Sequence, residues 1–121
     1  MTTKLEMFRG DDESFDVRVY EVDGVTPVNL TGADLRFTAK RNVTDLDADA
    51  VVTLTTAAGT ITITNAVLGQ ARLDVPAVQT NALTRDSILP WDLQVRDVSN
   101  KTRTLASGLL IIRRDVSRTT P

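Results

Sequence analysis

Apolar and polar residues alternate along much of this chain, the period of two that marks strands with one buried face. In "SFDVRVYEV" Phe15, Val17 and Val19 share one side, with Asp16, Arg18 and Tyr20 on the other. "ADLRFTAK" sets Leu35, Phe37 and Ala39 against Arg36, Thr38 and Lys40. "TITIT" does the same with Ile61 and Ile63, "QARLDV" with Ala71, Leu73 and Val75, and "PWDLQVRD" with Trp91, Leu93 and Val95. Turn signals separate the runs: Asp23-Gly24, Gly32, Gly59, Leu68-Gly69 and Ser99-Asn100-Lys101, the last preceding a strand that starts near Arg103. Only "PAVQTNALTRD" (76–86) reads as a helix, with Pro76 in its first turn and Ala77, Thr80 and Leu83 on one face. The pattern predicts one all-β domain over residues 1–121, about seven to eight short strands with one short helix, spaced as in a sandwich or barrel.

One strand breaks the alternation. "SGLLIIRRDV" carries four consecutive apolar residues, Leu109 to Ile112. A strand with one solvated face alternates, so a continuous run implies that both faces are covered. Either the helix, a loop or a sheet partner covers the second face, or that face meets a neighbouring subunit. The second reading makes Leu109 and Ile111 the candidate subunit interface.

Composition narrows the function more than the fold. The 121 residues are 41% hydrophobic and 25% charged, with 14 basic and 16 acidic residues and a net charge of -2. That balance gives no basic face for nucleic acid. No apolar run approaches membrane-spanning length, and "MTTKLEM" has no signal-peptide core. The expectation is a protein made in a cytoplasm and not secreted, without nucleic-acid or membrane partners. Cysteine and histidine are both absent, which removes thiolate chemistry, the usual general base near neutral pH and the commonest zinc ligand. With no phosphate loop and no nucleophile elbow, the expectation is a non-enzyme with no cofactor and no small-molecule substrate.

Four further features carry candidate chemistry. Asp45, Asp47 and Asp49 have the spacing that opens a calcium loop, but Ala50 stands where that loop needs Gly and Thr56 where it needs a bidentate Glu. They are weak metal candidates, and a solvated acidic loop between strands is the plainer reading. Trp91 is the only tryptophan; as a sugar platform it would have to be exposed, and its inward register predicts core instead. Asn29, Asn42 and Asn100 each begin a glycosylation tripeptide, and each also suits a turn or strand end. Arg9-Gly10-Asp11 spells an adhesion tripeptide beside Asp12, Glu13 and Asp16. Neighbouring carboxylates on a strand diverge, so the expected role of this stretch is a polar turn that aims the Phe15 strand into the core.

The order of these pieces resembles small β-sandwich virion proteins of tailed bacteriophages, in the style of the N-terminal domain of baseplate upper proteins. The resemblance rests on Arg9-Gly10-Asp11, the Val17 and Val19 strand, the Asp23-Gly24 turn, Pro27 through Gly32 and Lys40-Arg41. "LPWDLQVRD" and "TLASGLLIIRRDVSR" continue it, while residues 43 to 75 are least diagnostic. It implies an immunoglobulin-like antiparallel β-sandwich acting as a virion structural protein in the tail, baseplate or adaptor region. It also implies homo-oligomerisation and docking onto other virion proteins. Capsid decoration or head-fibre protein is the alternative, and a calcium- or glycan-binding β module a further one. Baseplate upper proteins continue beyond such a domain, whereas this sequence stops at Pro121, so the expectation is a stand-alone subunit. Its ends, "MTTKLEM" and "SRTTP", are expected as short arms that order on docking.

Overall fold

Each alternating run forms a strand whose apolar side chains point into one shared interior. The computed structural model describes residues 2–21, 23–81, 83 and 86–113. Among them are β1 (Thr2–Phe8), β2 (Glu13–Arg18), β3 (Asp34–Ala39), β4 (Val52–Thr55), β5 (Ile61–Asn65), β6 (Gln70–Val75), β7 (Ser87–Arg96) and β8 (Thr102–Arg113). One helical turn, α1 (Ala77–Thr80), follows β6, and a 3-10 turn covers Asp47–Asp49. A five-stranded sheet in the order β1-β8-β7-β3-β4 stacks on a three-stranded sheet in the order β2-β6-β5. This is an immunoglobulin-like β-sandwich, with β2, β5 and β6 in one layer and β3, β4, β7 and β8 in the other.

The interior is built from the positions that periodicity assigns to it. Phe37, Leu54, Leu73, Leu93 and Leu110 are at most 1% exposed, and burying each such side chain contributes about 1.5–3 kcal/mol. Trp91 faces inward as its register predicts, its ring centroid 5.1 Å from that of Phe37 at an interplanar angle of 31°. The Trp91 indole N–H is buried with no acceptor among the described residues.

Three expectations change. Within "MTTKLEM" the residues from Thr2 to Met7 belong to an edge strand, β1, and not to an arm, while Met1 lies outside the described residues. Leu5 and Met7 alternate with Lys4 and Glu6, and Met7 is 4% exposed, so core contact holds the segment in place. The sandwich is also not wholly antiparallel, since β1 runs parallel to β8 from Thr2 opposite Ser107 to Phe8 opposite Arg113. Among the described residues of 76–86 the helix is the single turn Ala77–Thr80, with Leu83 and Asp86 not helical and residues 82, 84 and 85 outside the described residues. Thr80 and Asn81 are poor helix formers, and the buried Thr80 hydroxyl accepts a hydrogen bond from the Gly10 N–H at 3.0 Å. Both "SRTTP" and the stretch from Arg114 lie outside the described residues.

The ends of α1 tie distant parts of the chain together. Gln79 accepts from the Thr53 N–H at 2.9 Å and donates to the Thr53 carbonyl at 3.1 Å. Its amide thereby satisfies the backbone of β4, the edge of the larger sheet, as a neighbouring strand would.

Candidate functional site

The apolar run of β8 resolves by register. Gly108, Leu110 and Ile112 point inward, while Leu109 and Ile111 stand on the outer face of the five-stranded sheet. A bulge sets this phase: Leu93 opposes Ala106 and Gln94 opposes Thr104, so Leu105 has no opposite number. On the antiparallel side Ile88 lies opposite Ile111 and Pro90 opposite Leu109. On the parallel side the neighbours are Glu6 and Lys4. The result is a stripe in which Ile88 is 62% exposed, Leu109 40% exposed and Ile111 half-buried. Polar groups border it: Lys4 lies 3.4 Å from Glu6, and Arg113 lies 3.7 Å from the same carboxylate. On the other side the face dips into an open depression of about 370 Å³, whose lining includes Thr38, Lys40, Val43, Asp92 and Ser107.

What this arrangement offers a neighbour is apolar area. A half-buried aliphatic side chain gains roughly 1 kcal/mol when a partner completes its burial. Three such side chains offer a few kcal/mol, below the estimated 4–15 kcal/mol that free association costs. Taken alone, the stripe therefore supplies less than free association costs.

The other candidates are spread over loops. Asp45 closes its own turn, with its carboxylate accepting from the Asn42 N–H at 3.2 Å and its carbonyl accepting from the Lys40 ammonium at 2.8 Å. The Asp49 N–H donates to the Leu46 carbonyl within the 3-10 turn. The Asp47 side chain lies outside what is described. Among the described residues no group of three or more Asp or Glu side chains gathers as a metal site. Asn29 accepts from the Thr31 N–H and hydroxyl, and Asn100 holds a positive φ of 63° in the β7–β8 turn.

The Arg9-Gly10-Asp11 stretch is a staple between β1 and α1. Arg9 donates to the Asn81 carbonyl at 2.9 Å and to its side-chain oxygen at 3.3 Å. Gly10 turns with φ 75°, and the Asp12 carboxylate accepts from the Ala77 N–H at 2.8 Å. An arginine so engaged is held against its own domain rather than extended from a loop tip. The sequence signal for this docking was the polar turn itself; its partner on α1 becomes visible only when the chain folds back.

No protein-family model matches the chain, and no curated protein matches it. Among solved structures the chain is similar to murine CRIg, with a TM-score of 0.40 and 9% identity over 93% of this chain and 92% of that one.

Proposed function

We propose that this protein is a structural subunit of a tailed-bacteriophage virion, a non-enzymatic sandwich that oligomerises and docks onto other virion proteins in the tail, baseplate or adaptor region. The phage assignment rests on the motif order from Arg9 through Arg118. The mode of action rests on one observation: Ile88, Leu109 and Ile111 form an apolar stripe on the outer face of a sheet whose inner face is already packed. A rigid sandwich with such a face is built for subunit contact, and contact energy on this small scale suits repeated copies in a particle.

Two measurements test the reading. Antibody labelling of intact particles should place the protein at the tail; label on the capsid would move it to a decoration role, and no label would overturn the assignment. Leu109→Asp combined with Ile111→Asp should fold, judged by circular dichroism, yet drop out of particles. If the double variant incorporates as the wild type does, the stripe is not the docking surface.

A further inference from the structure

The larger sheet closes one of its edges and leaves the other open. At β4 the Gln79 amide takes both backbone groups of Thr53. At β1 no described residue plays that part. The Arg9 N–H donates to the Arg113 carbonyl at 2.8 Å, just past the pairing of Phe8 with Arg113. In a parallel ladder alternate residues turn both backbone groups to the neighbour. The backbone groups of Leu5, Met7 and Arg9 therefore face β8, and those of Lys4, Glu6 and Phe8 face away. The Phe8 carbonyl accepts from the Asp11 N–H at 3.3 Å. The N–H and carbonyl groups of Lys4 and Glu6, and the Phe8 N–H, have no hydrogen-bond partner among the described residues.

Open edges are ordinarily guarded by a bulge, a proline or an unmatched charge. From Thr2 to Phe8 the register with β8 runs without a shift, and the strand holds no proline. Lys4 alone would guard the edge, but Glu6, 3.4 Å away and exposed on the same outer face, offsets it. What remains is a row of donors and acceptors that one more strand can complete.

The order of charges along β1 matches β1 itself, read backwards. An antiparallel neighbour sets residues in direct opposition, and the outward groups of β1 allow only even-numbered positions to exchange hydrogen bonds. Two β1 strands related by a two-fold axis then have few registers. Lys4 opposite Lys4, or Glu6 opposite Glu6, sets like charges face to face, which is destabilising. Centred on Leu5, the pair instead sets each Lys4 opposite the Glu6 of the other copy. That register also uses the whole strand, because Leu5 is the midpoint of Thr2–Phe8. Length and charge thus select the same pairing. It also brings the two half-buried Leu5 side chains together on the inner side of the sheet.

We infer that β1 is a self-pairing edge, which joins antiparallel to β1 of a second copy, Lys4 opposite Glu6, and makes one continuous sheet across the dimer. The two-fold axis stands perpendicular to that sheet, so both apolar stripes stay open on the same side. The pairing stands on β1 alone and needs neither the stripe nor the phage assignment.

Sedimentation of the wild type should show a dimer that dissociates on dilution. Lys4→Glu and Glu6→Lys, each checked for folding by circular dichroism, should each weaken it by about tenfold or more. An equimolar mixture of the two variants should dimerise about as well as the wild type, since an acidic edge then meets a basic one. The chain has no cysteine, so Leu5→Cys supplies an independent check. Opposed Cα atoms of a non-hydrogen-bonded pair lie about 4.5 Å apart, within disulfide reach, and mild oxidation should give a covalent dimer. Ile88→Asp, on the stripe, should leave the dimer intact. A wild type that stays monomeric, single charge variants that dimerise as it does, a mixture that gains nothing, or thiols that fail to join would each overturn the pairing. Loss of the dimer in Ile88→Asp would overturn it as well, and would move self-association to the stripe.

Discussion

The two outer faces of this sandwich obey the same alternation and present opposite surfaces. On the three-stranded sheet the outward positions are Ser14, Asp16, Arg18, Thr62, Thr64, Arg72 and Asp74. They satisfy one another: Ser14 donates to Asp74 at 2.6 Å, Arg72 donates to Asp74 at 3.2 Å, and Asp16 lies opposite Arg72. On the five-stranded sheet the outward positions of β7 and β8 include polar Asp92, Gln94 and Ser107, and toward one end the apolar Ile88, Pro90, Leu109 and Ile111. One face is finished by water and its own charges, while the other retains apolar area that a protein contact can cover. A sheet's fold is thus set by its inward residues, and its company by its outward ones.

The sharpest separation of the two roles lies within β8. Leu110→Ala should cost about 2–5 kcal/mol in chemical denaturation, because Leu110 is fully buried and a cavity remains. Leu109→Ala, one residue away on the outer face, should cost less than about 1 kcal/mol. Equal losses would mean that Leu109 is core, and would remove the stripe.

A smaller effect tests whether apolar outward residues are enough. Thr62→Ile with Thr64→Ile places a short stripe on the finished face, and sedimentation should show a weak new association at high concentration. If the variant stays as monomeric as its parent, exposure alone does not create an interface, and the shape of the β7–β8 face matters as well.

The smallest effect concerns pH. The Ser14 hydroxyl bond, with Arg72 assisting, holds the Asp74 carboxyl below the usual carboxylate range. A depressed folded-state pKa contributes stability above the unfolded value, and that stability is lost as pH falls through the folded value. Ser14→Ala should therefore flatten the acid limb of a stability profile below about pH 4, with little change at neutral pH. An unchanged limb would show that the bond does not tune Asp74.

Much of the interior was legible because burial follows period two: Phe37, Leu73, Trp91 and Leu93 face inward as their runs predict. The N-terminal strand carried the same signal in Lys4-Leu5-Glu6-Met7, but two inward residues are too few to stand out from a polar arm. Ala77, Thr80 and Leu83 satisfy a helical period that extends past the single turn, because the buried Thr80 serves Gly10 instead. For the apolar stripe, the break in alternation at Leu109 and Ile111 was visible, but their neighbours Ile88 and Pro90 follow from strand register, which no local pattern contains.

The parallel pairing of β1 with β8 has a mechanical side. Thr2 enters the ladder beside Ser107 and Phe8 leaves it beside Arg113. A pull between Thr2 and Arg113 acts on opposite ends of that ladder, sliding the strands along each other. Its hydrogen bonds then share the load together, where a peeling force would break them one after another. A pull between these two points therefore loads the β1–β8 ladder in shear.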